Sequence, residues 1–383
     1  MKQLTVLKIA LATLMISAAC PAQTVTTFIG PNIHIDDCLV MDTAGNIYGS
    51  NWMGSAVYKV TPAGEMSVYM DGFNTPNGLV FDDAGNLYVA DHLANRVYKV
   101  TPDSVRTQYG PPLSTPSGLI FDPLSDTLYV AQYGVDRISK LAPDNTLTTY
   151  LSGGSLNGPV GMAFDENHTL YIANYNDGKV FRVTDGTLEP LNQVPGTSFG
   201  AAGFLAYAGG NLYATSIGRH KIYQITLDGE LSEFAGTGVP GLLDGPADSA
   251  RFYNPNGIMA SPDGSKLYIS DFNTQALRVI SDIPTGIRTD LSGQPLDGFE
   301  LAQNYPNPFN PSTRIRFRIP AARRVGLKIY DISGKHIATL LDAYLPSGEH
   351  QIDFDAGFLA SGIYVYQLRA GGYTEMKKMI LLK

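Results

Sequence analysis

One dipeptide returns along most of the chain. Ile47-Tyr48, Leu87-Tyr88, Leu128-Tyr129, Leu170-Tyr171, Leu212-Tyr213 and Leu267-Tyr268 follow one another with tyrosine spacings of 40, 41, 42, 42 and 55. Ten or eleven residues before five of these tyrosines stands a glycine: Gly78, Gly118, Gly161, Gly203 and Gly257. Cys38 holds that place in the first copy. The clearest copy runs from Asn77 to Val100. Residues 78–82 are apolar enough for a strand buried on both faces, and Asp83-Ala84-Gly85-Asn86 is a tight turn. Residues 87–90 are a second strand. After the polar loop 91–95, residues 96–100 alternate with the two-residue period of a half-buried strand. A weaker fourth strand ends at Tyr109. No copy has an apolar stripe of period 3.6, which excludes a solenoid of stacked helices. One such sheet cannot bury its own faces, so it needs neighbours of the same kind.

A period near 40 with four short strands per unit is the pattern of a propeller blade, and six copies predict six blades. The last copy supplies three strands (residues 257–261, 267–270 and 276–280) and then runs into Asp282-Ile283-Pro284. The missing strand is expected at the other end of the chain. Residues 24–30 resemble the outer strand 67–72 of the first copy. They are predicted to complete blade six and remove the edge that an open ring would expose.

At 383 residues the chain has room for two domains. Residues 1–22 read as a signal peptide: Lys2 and Lys8, an apolar stretch at 9–16, and Cys20-Pro21-Ala22 before Gln23 as the cleavage site. A second reading takes residues 17–20 as a degenerate lipobox with Cys20 lipidated. The apolar run is short for a membrane span, and no other stretch is long enough for one. With two cysteines there is no disulfide framework, and Cys38 is expected as a lone buried thiol. The propeller is assigned to residues 23–283 and a Pro/Gly-punctuated linker to 284–298. In residues 299–383 the 40-residue period is lost and six short alternating strands follow, which fits a small immunoglobulin-like β-sandwich. The fold class is therefore all-β. Residues 23–298 carry a net charge of −14 and residues 299–383 one of +4. An acidic propeller argues against nucleic acid or an anionic membrane as its partner.

Two resemblances add to this. The segment 235–252, followed by Asn254-Pro255-Asn256-Gly257-Ile258, is similar to an NHL repeat. Together with Pro76-Asn77-Gly78-Leu79 and the downstream Leu-Tyr strands, it also resembles the SMP-30/gluconolactonase-like propellers. The opening Asn304-Tyr305-Pro306-Asn307-Pro308-Phe309-Asn310-Pro311-Ser312-Thr313, then Asp331-Ile332-Ser333-Gly334-Lys335, Leu359-Ala360-Ser361-Gly362-Ile363-Tyr364 and the closing 377–383 resemble the type A C-terminal sorting domain of type IX secretion cargo. That resemblance implies export across the outer membrane, with the secretion machinery as partner of residues 299–383, and a protein released or attached at the cell surface.

Candidate chemistry lies where the inner strands begin. The residues before each inner-strand glycine, or before Cys38, are Asp37, Asn77, Ser117, Val160, Ala202 and Asn256. Asn256, Asp37 and Asn77 fall on consecutive blades six, one and two, and would converge at one mouth of the channel. Three oxygen-bearing side chains there could hold Ca²⁺ or another divalent ion such as Zn²⁺, completed by carbonyls and water. The SMP-30-like resemblance implies metal ligands at this same blade position, with a Glu from its first blade; here Asp36-Asp37 stands instead of Glu. The competing explanation is that these side chains cap a strand or bond a turn amide. A second ring, Asn51, Asp91, Gln132, Asn174, Ser216 and Asp271, ends the tyrosine strands and reads as architecture, since it recurs in every blade. Trp52, the single tryptophan, with Tyr133 and Tyr175 at nearby positions, would make an aromatic floor for a sugar or an apolar ligand, or else pack turns. His34, His92, His168 and His220 show no metal spacing. There is no nucleophile elbow, phosphate loop or CxxC. Two functions stay open: an exported binding module for a glycan, peptide or protein at the channel mouth, and a metal-dependent lactonase-like hydrolase or lyase.

Overall fold

A computed structural model describes residues 23–197, 200–284, 299–319, 323–331, 336–346, 348–370 and 373–383. The signal segment 1–22 and all but the first residue of the 284–298 linker lie outside the described residues.

The repeats fold as six antiparallel sheets. Blade one uses Leu39–Met41, Ile47–Ser50, Val57–Val60 and Met66–Met70. Blade two uses Pro76–Phe81, Leu87–Asp91, Arg96–Val100 and Arg106–Tyr109. Blades three, four and five repeat the same four-strand meander from Pro116, Pro159 and Leu205. The innermost strands touch in sequence, and that of blade six (Pro255–Ala260) meets that of blade one, so the ring is closed.

The repeated tyrosine has a physical reason. In blade one Asp42 accepts hydrogen bonds from the Ala44 and Asn46 amides, the Asn46 side chain and the Tyr48 hydroxyl at 3.1 Å. Asp82, Asn86 and Tyr88 repeat this in blade two, and Asp165 with Tyr171 in blade four. The aspartate caps the turn between the first two strands, and the tyrosine on the returning strand locks it. The glycines have a reason too. A methyl group at Gly78 would lie 1.9 Å from the Ser117 carbonyl oxygen, at Gly118 1.8 Å from that of Val160, and at Gly257 2.0 Å from that of Asp37. Each inner strand thus lets the next blade's backbone approach to a distance that a side chain would block. In blade one Cys38 fills the place, and its Sγ accepts from the Leu79 amide at 3.3 Å.

The closing strand is Thr24–Ile29, which pairs antiparallel with Ala276–Ser281, from Thr24 opposite Ser281 to Ile29 opposite Leu277. It supplies the fourth strand that blade six lacks, as expected, and buries Val25 fully. The long connection before blade six does more than link. Its Gly245–Pro246 pairs with Val25 and Thr24 as a fifth strand. Asp244 accepts from the Thr27 amide (3.0 Å) and hydroxyl (2.8 Å) and from the guanidinium of fully buried Arg278 (2.7 Å).

The C-terminal part forms two sheets over one apolar core. One contains Glu300–Leu301, Ser312–Ile319 and Gly348–Asp355; the other His336–Leu345, Arg323–Asp331, Gly362–Ala370 and Tyr373–Leu381. Ile315, Phe317 and Phe354 from the first pack with Leu327, Ile329, Tyr366 and Leu368 from the second. The Asn-Pro-rich opening is tied to the last strand. The Phe309 amide donates to the Ile380 carbonyl at 2.9 Å, and Asn307 Oδ1 accepts from the Ile380 amide at 2.9 Å. Asn304 donates from its backbone to the Tyr366 hydroxyl at 2.8 Å.

Candidate binding site at the channel mouth

Four blades enter the inner strand through one local device: Thr75-Pro76-Asn77-Gly78, Thr115-Pro116-Ser117-Gly118, Gly158-Pro159-Val160-Gly161 and Asn254-Pro255-Asn256-Gly257. The first residue of each has positive φ (66°, 41°, 57° and 61°). The proline begins the strand, where no ladder donor is needed. Strand pairing then slips between the proline and the residues just after it. Such an irregularity re-aims a side chain. Asn77, Ser117, Val160 and Asn256, with Asp37 from blade one, line a cavity of about 310 Å³. Ala202, the blade-five member, is buried and does not line it.

A second tier comes from the residue just after Asn51, Asp91, Gln132, Asn174, Ser216 and Asp271 at the end of each tyrosine strand: Trp52, His92, Tyr133, Tyr175, Ile217 and Phe272. All six face the same cavity. Backbone bonds hold the two tiers together. The amides of His92, Tyr133, Tyr175 and Phe272 donate to the carbonyls of Thr75, Thr115, Gly158 and Asn254, at 2.8 to 3.1 Å. In blade one the Trp52 amide donates instead to the Asp36 carboxylate at 2.7 Å. Ring contacts run without a gap from Trp52 to His92 (5.1 Å), His92 to Tyr133 (6.2 Å) and Tyr133 to Tyr175 (5.9 Å). All six residues named from the sequence, Asp37, Asn77, Asn256, Trp52, Tyr133 and Tyr175, therefore lie on one cavity. Ile217 and Phe272 are not named in the sequence reading, and His92 only as a histidine without metal spacing. Their signal was positional: each follows a member of the Asn51/Asp91/Gln132/Asn174/Ser216/Asp271 ring.

That polar ring bonds the loops entering the blades. Asp91 accepts from the Asn74 amide, Gln132 from Ser114 and Asp271 from Tyr253, while Asn174 donates to the Ser155 carbonyl and Ser216 to that of Pro195.

The floor is electrically unusual. Asp37 Oδ1 accepts from Asn256 Nδ2 at 2.8 Å, while Asp37 Oδ2 and Asn77 Oδ1 are buried without a hydrogen-bond partner. Burial, then the neighbouring Asp36, push the Asp37 carboxyl well above its usual range against the Asn256 bond. Asp36, also buried, is pushed by burial up to about 7, although the Trp52 amide and Gln275 bond it. No cationic side chain pairs with either carboxyl among the described residues, and none lines the cavity. His92 Nδ1 stands 3.3 Å from the Pro116 carbonyl, which can only accept, and 3.0 Å from Ser117 Oγ. Nδ1 therefore carries the proton, and Nε2 is left as an acceptor. Burial keeps the ring neutral by lowering its pKa.

As a metal centre the donor set is short. Asp37, Asn77 and Asn256 supply one carboxylate and two amides, and an oxygen of the carboxylate is already bonded by Asn256. A Ca²⁺ site takes about six to eight oxygens. Groups of three His, Cys, Asp or Glu fit for a metal are absent among the described residues. His34 stacks on Tyr58, His168 pairs with Asp122 at 2.7 Å and His220 accepts from the Asn254 amide, so the other histidines are dispersed.

Residues 38–176 match the family described as SMP-30/Gluconolactonase/LRE-like region. Residues 303–382 match the family described as secretion system C-terminal sorting domain. Among solved structures the chain is similar to an auxiliary nutrient binding protein from Bacteroides thetaiotaomicron, with 16% identity and a TM-score of 0.60 over 68% of this chain and 76% of that one. It is also similar to a Xanthomonas campestris gluconolactonase (17%, 0.54, over 67% and 89%) and to a Staphylococcus aureus virginiamycin B lyase (18%, 0.50, over 64% and 79%). At these identities the likeness shows the propeller fold and not the activity. No curated protein is significantly similar in sequence. No described helix is long and apolar enough to cross a membrane. The chain thus carries an SMP-30/gluconolactonase/LRE-like region within a six-bladed propeller and ends in a secretion system C-terminal sorting domain, which sends it by type IX secretion to the cell surface or the extracellular space.

Proposed function

We propose that the exported propeller is a binding module that takes a small organic group, a sugar unit or the end of a glycan or peptide, into the channel mouth. One observation carries this: a tier of four touching rings above a polar floor, on one cavity of about 310 Å³. That is the small end of the range for ligand cavities, which are mostly apolar with a few placed polar groups. Aromatic faces hold the carbon body of a ligand, and the Asp37, Asn77 and Asn256 side chains select its polar groups. A binding role also agrees with the nutrient binding proteins among the structural neighbours.

The hydrolase or lyase reading has its own support in two adjacent buried carboxyls: burial pushes Asp36 up to about 7, which suits an acid or base near neutrality, and pushes Asp37 well above its usual range. Only Asp37 of the two reaches the cavity.

Trp52 is the chain's single tryptophan, so its emission reports on this cavity. The full exported protein is titrated with hexoses, disaccharides and dipeptides, and separately assayed for lactone hydrolysis. The expected result is a saturable emission change with at least one ligand, weakened about tenfold or more by Tyr175→Ala. Binding that leaves Trp52 silent and ignores Tyr175→Ala would move the site elsewhere. Lactone hydrolysis abolished by Asp37→Asn would establish the enzyme instead.

A further inference from the structure

The cavity has a sign. Its lining holds one carboxyl, no lysine and no arginine. Asp37 is 1% exposed, and its Oδ2 has no hydrogen-bond partner; Asn77 Oδ1, 6% exposed, has none either. His92, with its proton on Nδ1, lines the same cavity as a neutral ring. Directly behind the floor is a second buried carboxyl, Asp36, held by Asn51, Trp52 and Gln275 and by no cation. Two adjacent buried carboxyls without a counter-charge are costly to ionise, and leaving a buried acceptor unpaired costs more than forming its bond gains. Around this floor stand the faces and edges of Trp52, His92, Tyr133 and Tyr175. Such rings attract an organic cation and offer little to a hydrated metal ion.

Given the channel mouth as the binding site, we infer that its ligand carries a primary ammonium group, set on the Asp37 floor with its carbon body between the aromatic rings. The N–H groups donate to the orphaned oxygens, and the positive charge offsets the paired carboxyls. A neutral sugar would leave the floor carboxyls holding their protons, with no charge to favour ionisation, and a carboxylate ligand would disfavour it further. The same chemistry is met by an amino sugar and by a free peptide amine, so both sources are tested.

The full exported protein is titrated at pH 7, by calorimetry and by Trp52 emission, with glucosamine against glucose, n-butylammonium against 1-butanol, and CaCl₂. Each ammonium is expected to bind at least about tenfold more tightly than its neutral twin, the scale of one charge-assisted bond. A larger gap within the sugar pair marks an amino sugar, and within the alkyl pair a peptide amine. Asp37→Asn, with an unchanged circular dichroism spectrum, should close the gap. Because each twin pair compares ligands on the unaltered protein, that comparison stands if the variant misfolds. Equal binding of charged and neutral twins overturns the inference but leaves the mouth as the site, provided Trp52 responds. Tight Ca²⁺ binding with no ammonium binding makes the floor a metal site and also overturns it. A silent Trp52 with every ligand removes both the inference and the binding site beneath it.

Discussion

Asn256 donates a 2.8 Å hydrogen bond to Asp37 across the seam where the last blade meets the first. The two residues are 219 positions apart, and the bond exists only in a closed ring. Behind it, the Ser270 hydroxyl donates to the Asp37 carbonyl at 2.6 Å. The seam and the candidate site thus share residues. What closes the propeller also shapes its floor.

Removal of residues 23–30 should unzip blade six. The loss includes fully buried Val25, worth about 1.5–3 kcal/mol by itself, and the strand pairing on both its sides. The shortened protein is expected to melt well below the parent and to aggregate through the freed edge. Differential scanning calorimetry with light scattering checks this; an unchanged melting temperature would contradict the closing role.

Gly257→Ala should destabilise the ring by about 1–3 kcal/mol or more, because its new methyl would meet the Asp37 carbonyl oxygen at 2.0 Å. Gly326→Ala, where nothing lies within 4 Å, is the matched control and should be close to neutral. Urea midpoints of the two variants give the comparison. Equal midpoints would show that close approach of the blades is not what these glycines serve.

Much of this was legible in the sequence, for reasons now visible. Three of the Leu-Tyr copies, at Tyr48, Tyr88 and Tyr171, stand out because the tyrosine hydroxyl locks an aspartate turn, and residue identity carries that bond. The missing strand of blade six was legible by counting. The 55-residue spacing was legible only as a longer connection; that it clasps the closing strand through Asp244 depends on a partner 217 residues away. Asn77 and Asn256 were legible because they precede a glycine that backbone approach demands, and Asp37 because Cys38 holds the same place in the first copy. The aromatic tier was half legible. Trp52, Tyr133 and Tyr175 draw attention by type, whereas His92, Ile217 and Phe272 share only a position. His92 was set aside for lacking metal spacing, yet its role here is as a neutral ring in a wall.

Stability should fall as pH rises from about 5 to 8. Burial raises Asp36 to about 7 and Asp271 to about 6, so the folded protein keeps protons that the unfolded chain releases near pH 4. That contribution is fully present below the unfolded pKa and is lost as pH rises through the folded values. Asp244 works in the opposite sense: burial raises its pKa, but Thr27 and Arg278 more than offset this, so its share is lost only as pH falls through the acid range. Melting temperatures in a pH series check the sign, and a steady rise from pH 5 to 8 would contradict it.

Cys38 should be inert in the folded protein. Burial pushes its thiol up to about 12, and no disulfide engages it. Ellman's reagent should react within minutes only after denaturation. Rapid reaction of the native protein would mean that the inner face of blade one is open.

Truncation after residue 298 should leave a folded propeller held in the periplasm of a host competent for type IX secretion, since the sorting match occupies residues 303–382. Fractionation with a propeller antibody reads the outcome. Arrival of the truncated protein in the medium would contradict the tail's sorting role.

The central claim is that the propeller's ligand sits on the floor of Asp37, Asn77 and Asn256 beneath the Trp52–Tyr175 rings. The most direct measurement is a crystal structure of the exported protein soaked with the tightest-binding ligand of the titration series. The account predicts ligand density within hydrogen-bond distance of Asp37 and stacked on Tyr133 or Tyr175. Density on the outer strands or on the 236–252 connection, with an empty mouth, would contradict it.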